Sequence, residues 1–340
     1  MANLPLRPIE PDLVPTLERA VGQRPIADAI AAEVIARGIR TVYFVGMGGS
    51  WASSVPVTSQ LQTSVPEIAV FNINAAEFSA LYLPVIGRDT LVVAASHSGG
   101  TPETVAAAVA AKERGALVVS VAIDDDNALS APADFRLTYG SDRTITSAKY
   151  VLLSDLAYGL AAAFGHTDAA EAGRRALQGV PQLTLAATEK AEPALAAIAA
   201  ELGDADNIYV LASGPLSGLA YLLSVCYFVE MQWKKSTHFT TGDFFHGPFE
   251  LATDRMPYIL FSGADATRAH AERAKTFFST WDDNLHVLDA QELIAGVSDE
   301  ERVAIQHIPM ASITMRLADH FEAATGHSLD ERRYMHKVAY

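Results

Sequence analysis

The stretch LVVAASHSGGTPETVAAAVAAKERGALVVSVAI, Leu91 to Ile123, decides the fold. Its first residues, LVVAA, form a short apolar run rich in branched side chains, as in a strand buried on both faces. PETVAAAVAAKER reads as a helix closed by Gly115, and ALVVSVAI reads as a second buried strand. Strand, helix, strand in so few residues requires a parallel pair with a crossover helix. Between the first strand and the helix lies SHSGGT, Ser96 to Thr101. Thr101 suits the helix N-cap and Pro102 the first helical position. The free amides of that turn point back toward Ser96 and Ser98, and such a turn attracts an anion.

An earlier strand, TVYFVG (Thr41 to Gly46), runs into MGGSWASS (Met47 to Ser54), a second turn of the same kind, with Gly49 and Ser50 in it. A Gly/Ser loop alone makes an ordinary turn. Two of them at strand ends of an open sheet lie where such sheets bind ligands. Neither is a GxGxxG or Walker motif, so the pair suggests a phosphate without favouring a nucleotide.

Sliding the sequence by 166 positions reveals a repeat. VYFVGMGGS at Val42 falls on IYVLASGPL at Ile208, NAAEF at Asn74 on TTGDF at Thr240, and LVVAAS on PYILFS at Pro257. LVVSV falls on LHVLD with one residue of slack. The expected architecture is α/β: two domains, each a doubly wound, flavodoxin-like parallel sheet covered by helices. The expected divisions are an N-terminal segment over 1–25, a first domain over 26–170 and a second over 181–340. The polar stretch GHTDAAEAGRRALQGV, Gly165 to Val180, marks the boundary. The copies differ at the turn: SHSGGT in the first is SGADAT in the second, where Asp265 repels an anion.

With 340 residues, half of them hydrophobic, the chain can bury a large core. A net charge of −15 opposes nucleic-acid binding but leaves a small phosphorylated ligand open. The lone Cys226 excludes an internal disulfide and reads as a small core residue. The opening MANLPLRPIEPD lacks a secretion signal's apolar core, and the apolar runs fall short of a membrane span. A cytoplasmic protein without a membrane partner is expected.

The second informative stretch is FVEMQWKKSTHFTTGDFFHGPFE, Phe228 to Glu250. Glu230 closes a strongly apolar helical run. It is either neutralised by Lys234, four residues on, or is a general base whose pKa burial raises. His246 sits in a loop with its backbone fixed by Gly247 and Pro248, flanked by Asp243 and Glu250. His238 is the weaker candidate. No histidines or cysteines have metal-ligand spacing, and no GxSxG elbow occurs.

GMGGSW, SHSGGTPET, SAKY (Ser147 to Tyr150) and HGPFE together resemble the sugar isomerase (SIS) domain in tandem, over nearly the whole chain. The chain is similar to the isomerase half of glucosamine-6-phosphate synthase, although no glutaminase half precedes it. EMQW, FFHGPFE and the ending RRYMHKVAY bring it closer to the deglycases of fructosamine 6-phosphates. The resemblance implies catalytic roles for Glu230 and His246, phosphate binding by Ser50, Ser96, His97, Ser98 and Thr101, and a functional Lys337. His97 stands where many relatives have glutamine. Gly49, Lys149 and Asp243 are further substrate-contact candidates, Asp243 replacing a glutamate of the family motif.

The implied reaction cleaves a 6-phosphofructosyl amine, an Amadori product, to glucose 6-phosphate and free amine, with no metal or organic cofactor. The family also implies a homodimer, with His246 able to reach the neighbouring chain. Two alternatives stand beside it: a sugar-phosphate isomerase or amino-sugar deaminase, and a non-enzymatic sugar-phosphate sensor.

Overall fold

The computed structural model describes residues 4–253, 256–281, 284–335, 337 and 338, so the end of RRYMHKVAY lies outside the described residues. The chain forms two compact units, Glu10–Gln182 and Leu183 onward, the latter joined by the residues up to Ile9.

In the unit Glu10–Gln182 five strands make one parallel sheet: β1 (Thr41–Gly46), β2 (Ala69–Asn74), β3 (Thr90–Ala95), β4 (Leu117–Ala122) and β5 (Phe135–Thr138). Their order is β2-β1-β3-β4-β5, the flavodoxin-like order, with the switch point between β1 and β3. Every residue of β3 and β4 is buried, which explains their unbroken apolar runs. The helix Pro102–Glu113 contributes Ala107, Ala108 and Ala111 to the core around Tyr43, Phe78, Val92 and Val118, with Val105 packed at its margin. Gly115 follows it with φ 89°, a conformation that suits glycine.

The other unit repeats the plan with β6 (Asn207–Ala212), β7 (Lys235–Thr240), β8 (Tyr258–Ser262) and β9 (Leu285–Asp289), all parallel in the order β7-β6-β8-β9. Both β1 and β2 map onto β6 and β7 at a shift of 166. Local devices repeat with them. Asn74 and Thr240 each cap a short helix by accepting from the backbone three residues on, Glu77 and Asp243 respectively. Gly48 and Gly214 share a positive φ, 52° and 54°. Phe244, Tyr258 and Phe278 anchor the core under this sheet.

Two expectations are revised. The stretch Gly165–Val180 is not an open boundary; from Thr167 it is helical, in one helix that runs to Leu202. The N-terminal segment is divided: the residues up to Ile9 belong with the second unit, whereas the helix Leu13–Val21 belongs with the first. One described stretch, Gly214–Met231, meets the length and composition of a membrane span at mean hydropathy 1.2, but 56% of it is buried in the protein, as in a core helix.

Candidate active site

Because β1 and β3 pair in register, with Gly46 opposite Ala95, the two Gly/Ser turns leave the sheet side by side at the switch point. Gly46 lets the turn fold back closely there: a Cβ would stand 3.0 Å from the Ser50 and Trp51 backbone, tight enough to push that turn outward. Ser50 is the second residue of a short helix, Gly49–Ala52, that follows β1. Lys149, buried on the helix Thr146–Ala163, donates from Nζ to Ser50 Oγ at 2.8 Å and lies 5.8 Å from the centre of the Tyr139 ring. An ammonium only donates, so Ser50 Oγ accepts and its own hydrogen is free to turn elsewhere.

In the second turn Ser96 is buried and its Oγ lies 2.9 Å from Thr101 Oγ1. Thr101 occupies the N-cap with extended backbone, and Pro102 follows at the first helical position. The Thr101 side chain engages Ser96 and does not cap the helix, so the first amides of the helix stay available for a ligand. Ser98 is exposed, and its Oγ accepts from the Gly100 amide at 3.2 Å. Gly99 has φ 65°, and a Cβ there would collide with Asn127 at 2.0 Å. Asn127 and Tyr139, unremarked in the sequence, thus support this loop. His97 Nδ1 is 2.7 Å from Tyr139 Oη, and Nε2 is 3.7 Å from Asp142 Oδ1. Burial, then the charge of Lys149, holds the His97 imidazole below its ordinary pKa. Burial raises that of Tyr139, so its hydroxyl keeps its proton.

The matching turn of the second unit is filled by its own carboxylate. Asp265 Oδ1 accepts from Thr267 N at 2.8 Å and Oγ1 at 2.7 Å, and Oδ2 accepts from Gln306 Nε2 at 2.9 Å. The donors that Thr101 and its neighbours leave open in the first unit are occupied here.

Glu230 lies near the end of Leu222–Met231, a π-helical stretch of the second unit. Such geometry often marks functional positions. Its side chain is not deeply buried, at 24% exposed, and Lys234 is not its partner. The helix stops at Met231 and Trp233 takes a left-handed φ of 53°, which turns Lys234 away. Lys234 Nζ donates instead to Gly203 O at 2.5 Å and Ala205 O at 3.0 Å. Glu230 Oε1 accepts from Arg332 Nε at 3.1 Å, with Nη2 at 3.0 Å. A cavity of about 690 Å³ opens here, lined among others by Glu230, Trp233, Lys235, Arg332 and Arg333.

His246 does not line that cavity. Glu230 precedes β7 and His246 follows it. The strand's six residues span about 17 Å at ~3.3 Å per residue. Within one unit the two residues therefore stand toward opposite ends of a strand. His246 is exposed, and Gly247 beside it has φ 139°. Among the described residues no carboxylate is within hydrogen-bonding distance of its imidazole. Asp243 is also exposed and its carboxylate accepts from Thr240 Oγ1 at 2.8 Å. His238 is a packing residue on β7, edge-on to Tyr221. Lys337 is exposed and donates to the Arg332 carbonyl, so it sits on the segment that brings Arg332 to Glu230.

The SIS domain family model matches residues 37–162. The fructosamine deglycase of Bacillus subtilis is 32% identical over 319 residues, covering 92% of this chain and 96% of the relative. The fructoselysine 6-phosphate deglycase of Escherichia coli is 25% identical, covering 91% of this chain and 89% of the relative. A solved Bacillus subtilis structure, classed with the phosphosugar isomerases, superposes with a TM-score of 0.87 at 29% identity over 95% of this chain and 100% of that one.

Proposed function

From its membership of the SIS-domain family, to which the chain belongs, we propose that this protein is a deglycase of 6-phosphofructosyl amines. The observation that carries this reading is the 32% identity with a fructosamine deglycase, which runs nearly end to end in both chains. The geometry is consistent with it. Ser50, Ser96, Ser98 and Thr101 hold the substrate phosphate, with the open amides of the helix Pro102–Glu113 and the Lys149 charge behind them. Fixing the phosphate positions the sugar chain, and that positioning supplies part of the rate enhancement.

Glu230 removes a proton from C1 of the open-chain ketosamine, and C2 is then protonated. C1 is oxidised and C2 reduced within the substrate, giving an imine at C1. Water adds to that imine, the C1–N bond breaks, and glucose 6-phosphate and the free amine leave. Arg332 holds the Glu230 carboxylate in place for the transfer. His246, displaced from its own chain's Glu230 by the length of β7, serves the site of a second copy as general acid. The working protein is then a homodimer, and the reaction is a hydrolysis without a cofactor.

Product analysis tests this reading. Incubation with a 6-phosphofructosyl amino acid should release glucose 6-phosphate and the amino acid in equal amounts. The similarity to a protein classed as a phosphosugar isomerase favours a second reading. In that case hexose phosphates interconvert and the fructosyl amine is left intact.

A further inference from the structure

The two ring nitrogens of His97 stand in unlike surroundings. Nδ1 lies 2.7 Å from the Tyr139 hydroxyl, whereas Nε2 lies 3.7 Å from Asp142 Oδ1, beyond hydrogen-bond length. The backbone fixes the first contact. Past the ends of β3, β4 and β5 the ladder continues: the Ile123 amide donates to the His97 carbonyl at 2.9 Å, and the Gly140 amide to the Ile123 carbonyl at 2.8 Å. Arg19 adds donors to the carbonyls of Tyr139 and Gly140. Three successive strand ends therefore hold Tyr139, only 1% exposed, beside His97.

Burial decides which group donates. The phenol keeps its proton, and among the described residues Nδ1 is the hydroxyl's one hydrogen-bond partner. A buried O–H that only accepted would leave its own hydrogen unsatisfied, which is costly. The hydroxyl thus donates to Nδ1, and the proton of the neutral ring sits on Nε2. Asp142 is largely exposed and too distant to take that N–H, which is left for a ligand. Lys149 connects the pair to the Gly/Ser turns: its Nζ is 5.8 Å from the centre of the Tyr139 ring and 2.8 Å from Ser50 Oγ.

We infer that Tyr139 is a positioning residue for phosphate binding: by donating to Nδ1 it holds His97 as the Nε2–H tautomer, giving the turn Ser96–Thr101 an oriented N–H donor without a second cation beside Lys149. The inference rests on that turn being the phosphate site. Protonating Nδ1 would reverse the contact and strand the phenolic hydrogen, so Tyr139 also opposes charge on the ring. Lys149 acts in the same direction, and Asp142 and Asp124 act against it.

The test is nitrogen-15 NMR of histidine-labelled protein, with the His97 signals identified by their loss in His97→Ala, alongside calorimetric binding of inorganic phosphate. Native His97 should show Nδ1 bare and Nε2 protonated. Tyr139→Phe should mix the two tautomers, raise the titration midpoint of His97, and weaken phosphate binding about 2- to 10-fold, the scale of one neutral hydrogen bond. In a His97→Ala background the same substitution should change phosphate affinity little, because the two residues act as a unit. A native ring protonated on Nδ1, or a tautomer unchanged in Tyr139→Phe, overturns the inference. So does an equal loss of affinity with and without His97, since Tyr139 would then act on its own. Failure of the native protein to bind inorganic phosphate removes the phosphate reading of the turn, and this inference with it.

Discussion

Arg332 reaches Glu230 across 102 positions of sequence and places Nη2 3.0 Å from its carboxylate. The segment that carries Arg332 is itself tied down. Glu322, on the helix His307–Thr325, accepts from the Leu329 amide at 2.9 Å and from Arg7 Nη2 at 2.6 Å, while Arg7 also pairs with Asp330 at 2.8 Å. The residues before Ile9 thus clamp the C-terminal segment from which Arg332 meets Glu230.

Removing Arg332 should therefore harm turnover more than binding. In Arg332→Met the carboxylate loses its orienting partner, and kcat should fall about 10- to 100-fold with a smaller change in KM, a loss on the scale of general-base contributions. Steady-state kinetics check this. An unchanged kcat would show that Glu230 is oriented by other means.

Arg7→Met should act on both stability and activity. Burial disfavours the charged form of Glu322, but Arg7 and the Leu329 amide outweigh it and hold the carboxyl below its usual pKa. Breaking this contact should cost about 1–3 kcal/mol, readable by urea unfolding. It should also lower kcat by freeing the segment that carries Arg332.

Lys149→Met should weaken phosphate binding. It removes a buried cation and the donor that commits Ser50 to accepting. Inorganic phosphate, read as a competitive inhibitor, should bind roughly tenfold less well, in line with one charge-assisted contact. Lys149→Arg should recover part of the loss.

The proposed division of Glu230 and His246 between two copies makes a mixing prediction. Glu230→Gln and His246→Ala homodimers should each be inactive. Exchanged into mixed dimers of a two-fold pair, they should recover up to ~25% of native activity, since half the dimers would carry one intact site. No recovery on exchange would place both residues in one chain's site.

Stability should depend on pH through His307. Full burial pulls its imidazole from 6.5 to about 3, so the folded chain refuses a proton that the unfolded chain accepts. The stabilisation is complete above pH 6.5 and is lost as pH falls toward 3, at up to ~1.4 kcal/mol per unit. Urea midpoints at pH 7.5, 6.0 and 5.0 should fall more steeply for the native protein than for His307→Gln.

The sheets and the two Gly/Ser turns were legible because their signals are local. Buried strands read as apolar runs, and the 166-residue shift carried both strands and caps from one unit to the other. The surroundings of Glu230 were not legible, because they depend on distant residues and on a backbone irregularity. The Lys234 pairing assumes a helix that continues past Met231. The π-helical stretch and left-handed Trp233 end it first. Nothing in the local pattern links Arg332 to Glu230 or Arg7 to Glu322. The stretch Gly165–Val180 looked like a linker because its residues are small and polar, yet alanine, glutamate and arginine also favour an exposed helix.

The most direct test of the account is glucose 6-phosphate release at saturating 6-phosphofructosylglycine by the native protein and by Glu230→Gln, with substrate binding measured on both. The account predicts native turnover, a fall in kcat of about 10²- to 10⁴-fold in the variant, and little change in its substrate affinity. A variant that turns over at the native rate, or a native protein that binds the substrate and releases no glucose 6-phosphate, would contradict it.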